Sequence, residues 1–185
     1  MTPFKHALAT SLLILVVATL GLPISAQAED FKLTSPTIKA GQQIGNDHVW
    51  NTFGCSGKNI RPELSWSGAP EGTKSFAITV YDPDAPTGSG VWHYSVYDIP
   101  ANVTTLKSDA LPEGAVEGNT DAGKPGFFGP CPPKGRVHRY FFKVHALKVD
   151  KLGIAGKNMT APFTGFFINS NTIATAQILA VFGPR

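Results

Sequence analysis

The sequence predicts a mainly β domain with a short helix near its C-terminus, and two features support this fold class. Several segments alternate apolar and polar residues with a period of two, which is typical of strands that bury one face. The segments between them are rich in residues that favour turns and interrupt helices, since the 185-residue chain contains 19 glycines and 15 prolines.

The clearest strand is SFAITVY at residues 75–81. Its apolar face consists of Phe76, Ile78 and Val80, and the next position on that face is Asp82. We therefore expect the Asp82 carboxylate at the mouth of the core, where burial is unfavourable unless the group is paired or hydrogen-bonded.

Two further strands are predicted at residues 93–99 and 137–147, and the second is rich in aromatic and β-branched residues. On this second strand the alternation places His138 and Tyr140 on one face and Arg139 on the other. His138 and Tyr140 are therefore expected to line one pocket together, whereas Arg139 is expected to point elsewhere.

The segment between these two strands is predicted to be a long, packed loop. Residues 101–135 contain six glycines and five prolines, and loops of this length in compact domains are usually functional or disordered. Further on, residues 162–174 are predicted to form a short helix and residues 175–182 a final strand. A single longer helix through Val181 is the alternative.

Residues 1–28 have the pattern of a cleavable signal peptide. Lys5 and His6 precede a run of apolar and small residues, and Ala26-Gln27-Ala28 matches a small-x-small cleavage site. Cleavage would leave residues 29–185 as a single domain, either periplasmic or secreted. An uncleaved membrane anchor is the alternative, and the Ala-x-Ala site followed by acidic residues disfavours it.

The composition of residues 29–185 excludes nucleic-acid binding as an expected function. These 157 residues suit one domain that buries roughly 70% of its unfolded surface. They carry 15 basic and 13 acidic residues, a net charge of +2, without any cluster of Lys and Arg.

Cys55 and Cys131 are the two cysteines of the chain. In an exported protein an even pair is more often bridged than free, so a disulfide is expected. The alternative is a thiol hydrolase in which His138 activates the Cys131 thiol.

Other catalytic and metal-binding patterns find little support. Residues 118–125, GNTDAGKP, match a phosphate-binding P-loop except at Pro125, and no apolar strand precedes them. There is no Gly-x-Ser-x-Gly elbow for a serine hydrolase. The candidate metal ligands match no standard zinc or calcium spacing; they are Asp82, Asp84, His93 and His138. We therefore predict no enzyme activity, no metal and no cofactor.

A pocket for a small polar ligand is the favoured hypothesis. Five polar residues stand at neighbouring junctions of loop and strand, namely Asp82, Asp84, His93, His138 and Tyr140. The loops at residues 86–90 and 129–135 can expose backbone N–H groups to an anion, and imidazole and phenol add donors. Because two carboxylates repel a phosphate, the ligand must be zwitterionic or the carboxylates must already be paired.

Three motifs occur in an order that is more specific than any one of them alone. DPDAP at residues 82–86, WHYSVYDIP at 92–100 and GPCPPKGRVHRYFFKVHAL at 129–147 resemble phosphatidylethanolamine-binding proteins. More narrowly, they resemble the bacterial branch that is called Raf kinase inhibitor-like. The resemblance extends from about residue 31 to residue 182, with Ala122 standing where bacterial relatives usually have Phe.

The resemblance implies a fold and a binding site. The fold would be a large antiparallel sheet packed on a smaller one, with a helix near the C-terminus. A small pocket at one end of the sheet would bind phosphate-like anions and phosphorylated headgroups. Carried over by position, its residues are Asp82, Asp84, Pro86, His93, Cys131, Pro132, His138 and Tyr140.

The expected function is therefore that of an exported, non-catalytic binding protein. Its ligand would be phosphate or a small anionic or zwitterionic phosphoryl headgroup such as phosphoethanolamine, and membrane association is left open. The alternative is a secreted interaction or inhibitor protein, whose loops would act on a protease or a host signalling partner.

Overall fold

The computed structural model describes Met1 and residues 30–183, so the predicted signal peptide lies outside the described residues apart from its first methionine. The elements, in chain order, are β1 (Lys32–Thr34), a 3-10 turn (Asn46–His48), β2 (Leu64–Ser67), β3 (Ser75–Asp82), β4 (Val91–Pro100), β5 (Thr105–Leu106), β6 (Val116–Glu117), β7 (His138–Leu147), α1 (Ala161–Asn171) and β8 (Thr172–Phe182). Within these described residues, no helix has the length and apolar character needed to cross a membrane.

The strands form two antiparallel sheets, which confirms the predicted fold class. The large sheet has five strands in the order β6-β4-β3-β7-β8, and the small sheet has three in the order β1-β2-β5. The predicted long loop therefore contains two short strands, β5 and β6, one in each sheet. Strand β3 lies at the centre of the large sheet, so its C-terminal residues are flanked by β4 and β7.

The main hydrophobic core lies between the two sheets. The apolar face predicted for β3 is buried there, together with the matching face of β7 and with residues of the small sheet such as Leu64 and Trp66. Trp66 contacts Phe76 edge-on with ring centroids 5.3 Å apart. The burial of large aromatic and aliphatic side chains is the main driving force for this packing.

The expectation that β3 is buried on only one face is wrong. Ala77 and Thr79, on the second face, are also buried, and a second apolar cluster forms there between Ala77, Ile168 of α1 and Ile154. The reason is that α1 and the segment before it cover this face of the sheet. The hydroxyl of Thr79 is satisfied there by the ring Nε2 of His145 at 3.1 Å.

The C-terminal elements are a helix followed directly by a strand, so the alternative of one long helix is wrong. Pro162 lies in the first turn of α1, where a missing N–H costs nothing. The helix ends at Asn171, three residues earlier than predicted, because the β-branched residues that follow pair with β7 as strand β8. Gly165 allows close packing of α1, since a Cβ there would lie 2.5 Å from the Trp92 ring.

Candidate ligand-binding site

A cavity of about 350 Å³ opens at the end of the large sheet where β3 ends and β4 and β7 begin. Seven of the eight residues predicted for the site line it, namely Asp82, Pro86, His93, Cys131, Pro132, His138 and Tyr140. Asp84 is the exception and faces a neighbouring depression. The structure therefore brings most of the predicted residues together, and their role in binding stays a prediction.

Asp82 organises the polar side of the cavity. It is only 2% exposed, and its Oδ1 accepts a hydrogen bond from the backbone N–H of Asp84 at 2.8 Å. Its Oδ2 lies 2.8 Å from Nδ1 of His138 and 4.0 Å from Nε2 of His93. The buried carboxylate therefore has a partner on each oxygen, which meets the requirement that applies to a charge in this position.

A bulge in β4 directs His93 into the cavity. Val80 pairs with Tyr94, and the next residue of β3, Tyr81, pairs with Trp92, so His93 is an extra residue without a partner in β3. Its ring lies edge-on to Tyr140 at 5.3 Å, and Tyr94 belongs to the core between the sheets. Two consecutive side chains of β4 therefore project to the same side of the sheet, as a bulge permits.

The imidazole of His93 is neutral near pH 7. Its Nδ1 lies 2.8 Å from the carbonyl oxygen of Phe128, and a carbonyl only accepts, so Nδ1 carries the proton. Burial lowers the pKa of His93 to about 4, against the smaller opposing effects of the Phe128 carbonyl and the Asp82 charge. The Nε2 atom that remains is an acceptor.

The Tyr140 hydroxyl is a buried polar group that lies near the Asp82 carboxylate but forms no hydrogen bond of good geometry. The residue is 1% exposed, and no described residue forms a hydrogen bond with its hydroxyl. Burial, and then the negative charge of Asp82, raise the pKa of Tyr140 far above its ordinary value, so the hydroxyl keeps its proton. Among the described residues, Trp66 Nε1 and Ser95 Oγ are also buried side-chain atoms without partners, but neither residue lines the cavity.

Asp84 is turned outward and is paired with Arg139. The guanidinium donates from Nε and Nη2 at 2.9 and 2.7 Å, and the backbone N–H of Arg139 donates at 2.9 Å. These hydrogen bonds hold the pKa of Asp84 at about 2. Arg139 is exposed while its neighbours His138 and Tyr140 are buried, which confirms the alternation predicted for this strand.

A broader depression of about 650 Å³ adjoins the cavity on the side of Asp84. We call it the outer depression, and its lining consists of Asp84, Pro86, Pro133, Arg136, Val137, His138 and Arg139. Three of these residues, Pro86, Pro133 and His138, also line the cavity. The two spaces therefore meet at these residues.

The apolar wall of the cavity was not predicted. Trp50 stacks on Phe53 and also contacts Phe128, each with ring centroids 5.0 Å apart. We call these three residues the aromatic wall. Phe53 is 86% exposed and has a φ of 55°, which is rare and unfavourable for an aromatic residue. The sequence signal was weak, since HVWNTFG lies outside any alternating segment.

A disulfide joins Cys55 to Cys131, with Cα atoms 6.0 Å apart, which confirms the predicted bridge. Both cysteines of the chain are used, so the thiol hydrolase alternative, which needs a free Cys131, is contradicted. The bridge holds the segment with Phe53 against the loop with Pro132. Cys131 thus contributes to the cavity as half of a structural link.

A metal centre gains no support from the geometry. Among the residues that the structure describes, no three His, Cys, Asp or Glu side chains are grouped so that they could hold an ion. The candidate ligand Asp84 is engaged by Arg139 instead.

Comparisons with known proteins agree with this fold. A profile described as phosphatidylethanolamine-binding protein matches residues 34–183. YbcL of Escherichia coli K12 is 53% identical over 169 residues, which cover 87% of this chain and 92% of YbcL. YbhB of the same organism is 41% identical over 157 residues, which cover 82% and 99% of the two chains.

Solved structures extend the likeness to three dimensions. The crystal structure of Escherichia coli YbcL superposes with a TM-score of 0.81 at 50% identity, covering 85% of this chain and all of that one. A phosphatidylethanolamine-binding protein homologue of Chlamydia trachomatis superposes with a TM-score of 0.71 at 30% identity, covering 84% and 98%. By profile, sequence and fold, the chain belongs to the bacterial branch of the phosphatidylethanolamine-binding protein family.

Proposed function

We propose that this protein is an exported, non-catalytic binding protein that holds phosphate or a small phosphoryl headgroup in the cavity beside Asp82, His93, His138 and Tyr140. The observation that carries the proposal is the unpartnered Tyr140 hydroxyl. A buried hydroxyl without a hydrogen bond costs about 1–3 kcal/mol, and an acceptor oxygen of a ligand would remove this cost.

The carboxylates of the site are compatible with an anion because both are engaged within the protein. Asp82 is bonded to His138 and to a backbone N–H, and Asp84 forms a bidentate pair with Arg139. The sequence required either a zwitterionic ligand or carboxylates that are already paired, and this arrangement supports the second condition. A zwitterionic ligand is therefore not required.

His93 determines whether a proton must accompany the anion when it binds. Because its Nε2 is an acceptor in the free protein, it can receive the proton of a monoprotonated phosphate or take up a proton when an anion binds. In the second case the affinity falls as the pH rises, since proton uptake becomes harder. The cavity volume is near the lower end for ligand sites, which favours a headgroup-sized ligand.

The test is a calorimetric titration with inorganic phosphate, phosphoethanolamine and ethanolamine, applied to the protein and to two matched variants. Tyr140→Phe removes only the unpartnered hydroxyl. Tyr97→Phe removes a hydroxyl from the opposite face of the large sheet, where Tyr97 packs in the second apolar cluster. We expect both phosphorylated compounds to bind, and Tyr140→Phe to weaken them about tenfold without lowering Tm.

The control Tyr97→Phe should leave both affinities unchanged. If folded protein binds neither phosphate compound, or if Tyr140→Phe binds as tightly as the parent, the cavity is not the phosphoryl site. A secreted interaction protein that acts through its loops would then be the better explanation.

Export is the second part of the proposal and has its own test. The Cys55–Cys131 disulfide supports it, because stable disulfides form mainly in oxidising compartments. We expect the full chain, expressed in a Gram-negative bacterium, to appear in the periplasm with Glu29 as its first residue by intact mass. Full-length protein with two free thiols in the cytoplasm would contradict export.

A further inference from the structure

The outer depression contains a cation that no described residue neutralises. Arg136 lines it, and only its backbone N–H is bonded, to the carbonyl oxygen of Pro133 at 3.1 Å. Arg139, the other guanidinium of the depression, is matched by the Asp84 carboxylate. The pair is close to neutral, so among the described residues that line the depression Arg136 is the cation without a carboxylate partner.

The position of Arg136 is one that a ligand in the cavity can reach. Pro86, Pro133 and His138 line both spaces, so a molecule held beside His138 lies next to the outer depression. Asp82 fixes His138 through Nδ1, so the junction between the two spaces has a defined shape.

Part of the lining of the outer depression is apolar. Pro86, Pro133 and the 67% exposed side chain of Val137 contribute to it, and none of them can bond to a polar linker through its side chain. A short carbon linker suits this stretch, and the group at its far end meets a guanidinium. Guanidinium binds carboxylate and phosphate in a bidentate geometry that ammonium cannot provide.

We propose that the outer depression is a second anion subsite, in which Arg136 selects phosphorylated ligands that carry a carboxylate a few bonds from the phosphoryl group. This inference rests on the proposed function, because it needs a phosphoryl group in the cavity. The ligand class is then doubly anionic. Phosphoethanolamine, which lacks the carboxylate, should bind more weakly than an otherwise similar ligand that carries one.

Phosphoserine and phosphoethanolamine form the matched pair of probes, since they differ by one carboxylate. Titrated at a fixed ionic strength near 0.1 M, where exposed charges are partly screened, the protein should bind phosphoserine about tenfold more tightly. Glycerophosphoserine, the diester form found in a lipid headgroup, is the third probe. If the gain in affinity over phosphoethanolamine is larger for phosphoserine, the ligand is a free metabolite. If it is larger for glycerophosphoserine, the ligand is a lipid headgroup. A gain in affinity for either compound supports the subsite.

Variants assign the preference to Arg136. Arg136→Ala should reduce the ratio of the two affinities to about one while the affinity for inorganic phosphate stays unchanged. Arg136→Glu should reverse the preference, so that phosphoethanolamine binds more tightly. Lys134→Ala, which removes an exposed cation of the same loop that does not line the depression, should leave the ratio intact.

The outcomes separate this inference from the proposed function. If phosphate and phosphoethanolamine bind but phosphoserine has no advantage, or if Lys134→Ala abolishes the advantage as fully as Arg136→Ala does, the subsite is wrong and the cavity stands. If none of the probes binds to folded protein, the proposed function fails and the subsite fails with it. Equal melting temperatures for the variants and the parent confirm that the fold is retained.

Discussion

The Nδ1 atom of His138 lies 2.8 Å from Oδ2 of Asp82, and both side chains are no more than 5% exposed. Asp82 ends β3 and His138 begins β7, so the contact joins two adjacent antiparallel strands at the point where the cavity opens. Because the carboxylate accepts, Nδ1 of His138 is the donor and Nε2 is the atom left for other partners. The ring orientation therefore depends on Asp82.

Replacing Asp82 by Asn should destabilise the protein and weaken phosphate binding. A single amide oxygen cannot replace both carboxylate oxygens, so one of the two donors, Asp84 N–H or His138 Nδ1–H, loses its acceptor. We expect the free energy of unfolding in urea to fall by about 1–3 kcal/mol. Asp47→Asn is the matched control, because the Asp47–Lys58 pair is exposed and should contribute little. Equal effects of the two substitutions would contradict the importance of burial.

Stability should decrease as the pH falls from about 6.5 to about 4. Burial lowers the pKa of both His93 and His145 from 6.5 to about 4. In this window the unfolded chain binds protons at these rings that the folded chain does not, so acid favours unfolding. Each ring contributes up to about 1.4 kcal/mol per pH unit. Urea denaturation at several pH values measures the slope.

A variant can separate the contributions of His93 and His145 to the pH dependence of stability. His145→Gln keeps a hydrogen-bonding side chain near Thr79 but removes the titrating ring, and His145 lies outside the cavity. We expect the slope between pH 4 and 6.5 to fall to roughly half its original value. An unchanged slope would show that His145 does not contribute.

Gly165→Ala should displace α1 from the large sheet. A Cβ at this position would lie 2.5 Å from the Trp92 ring, which is far below ordinary contact distance. Overpacking of this kind typically costs about 1–3 kcal/mol, and urea denaturation should show a loss of that size. Ser170→Ala, at an exposed position of the same helix, should not destabilise the protein. A stable Gly165→Ala variant would mean that the helix moves without cost.

The alternation of the sequence was sufficient to predict the strands that carry the site, but it did not predict the bulge. It placed Asp82 on the buried face of β3 and placed His138 and Tyr140 together on one face of β7, and all three side chains are buried. The bulge at His93 depends on how β4 pairs with β3, so strict alternation would place His93 and Tyr94 on opposite faces. His93 entered the predicted site through its motif and its place at the start of a strand.

Tertiary contacts explain the other differences. The aromatic wall comes from Trp50 and Phe53 in a segment without periodicity, and the disulfide and the 128–133 loop bring it to the cavity. Asn59 assists by accepting from the Gly129 N–H at 2.8 Å. The DPDAP motif led to the prediction that Asp84 lines the cavity. In the structure its carboxylate is turned outward, where it pairs with Arg139. Local sequence contains no signal for such distant partners.

Removing the Cys55–Cys131 bridge should lower stability and loosen the aromatic wall. The bridge closes a loop between residues 76 apart in sequence, and the loop-entropy relation gives an upper value of about 4 kcal/mol. Phosphate affinity should also fall, because Phe53 is then no longer held against the 128–133 loop. Urea denaturation and calorimetric titration of a Cys55→Ser/Cys131→Ser double variant measure the two effects.

The reduced parent protein is the control for this variant, because it has the same open loop without the serine substitutions. The two should agree in stability and in phosphate affinity. If the free energy of unfolding changes by less than about 1 kcal/mol, the unfolded chain is already compact around this loop and the entropic account is wrong. If stability falls but phosphate affinity does not, the aromatic wall keeps its place without the bridge, and Trp50 packed on Phe128 is what holds it.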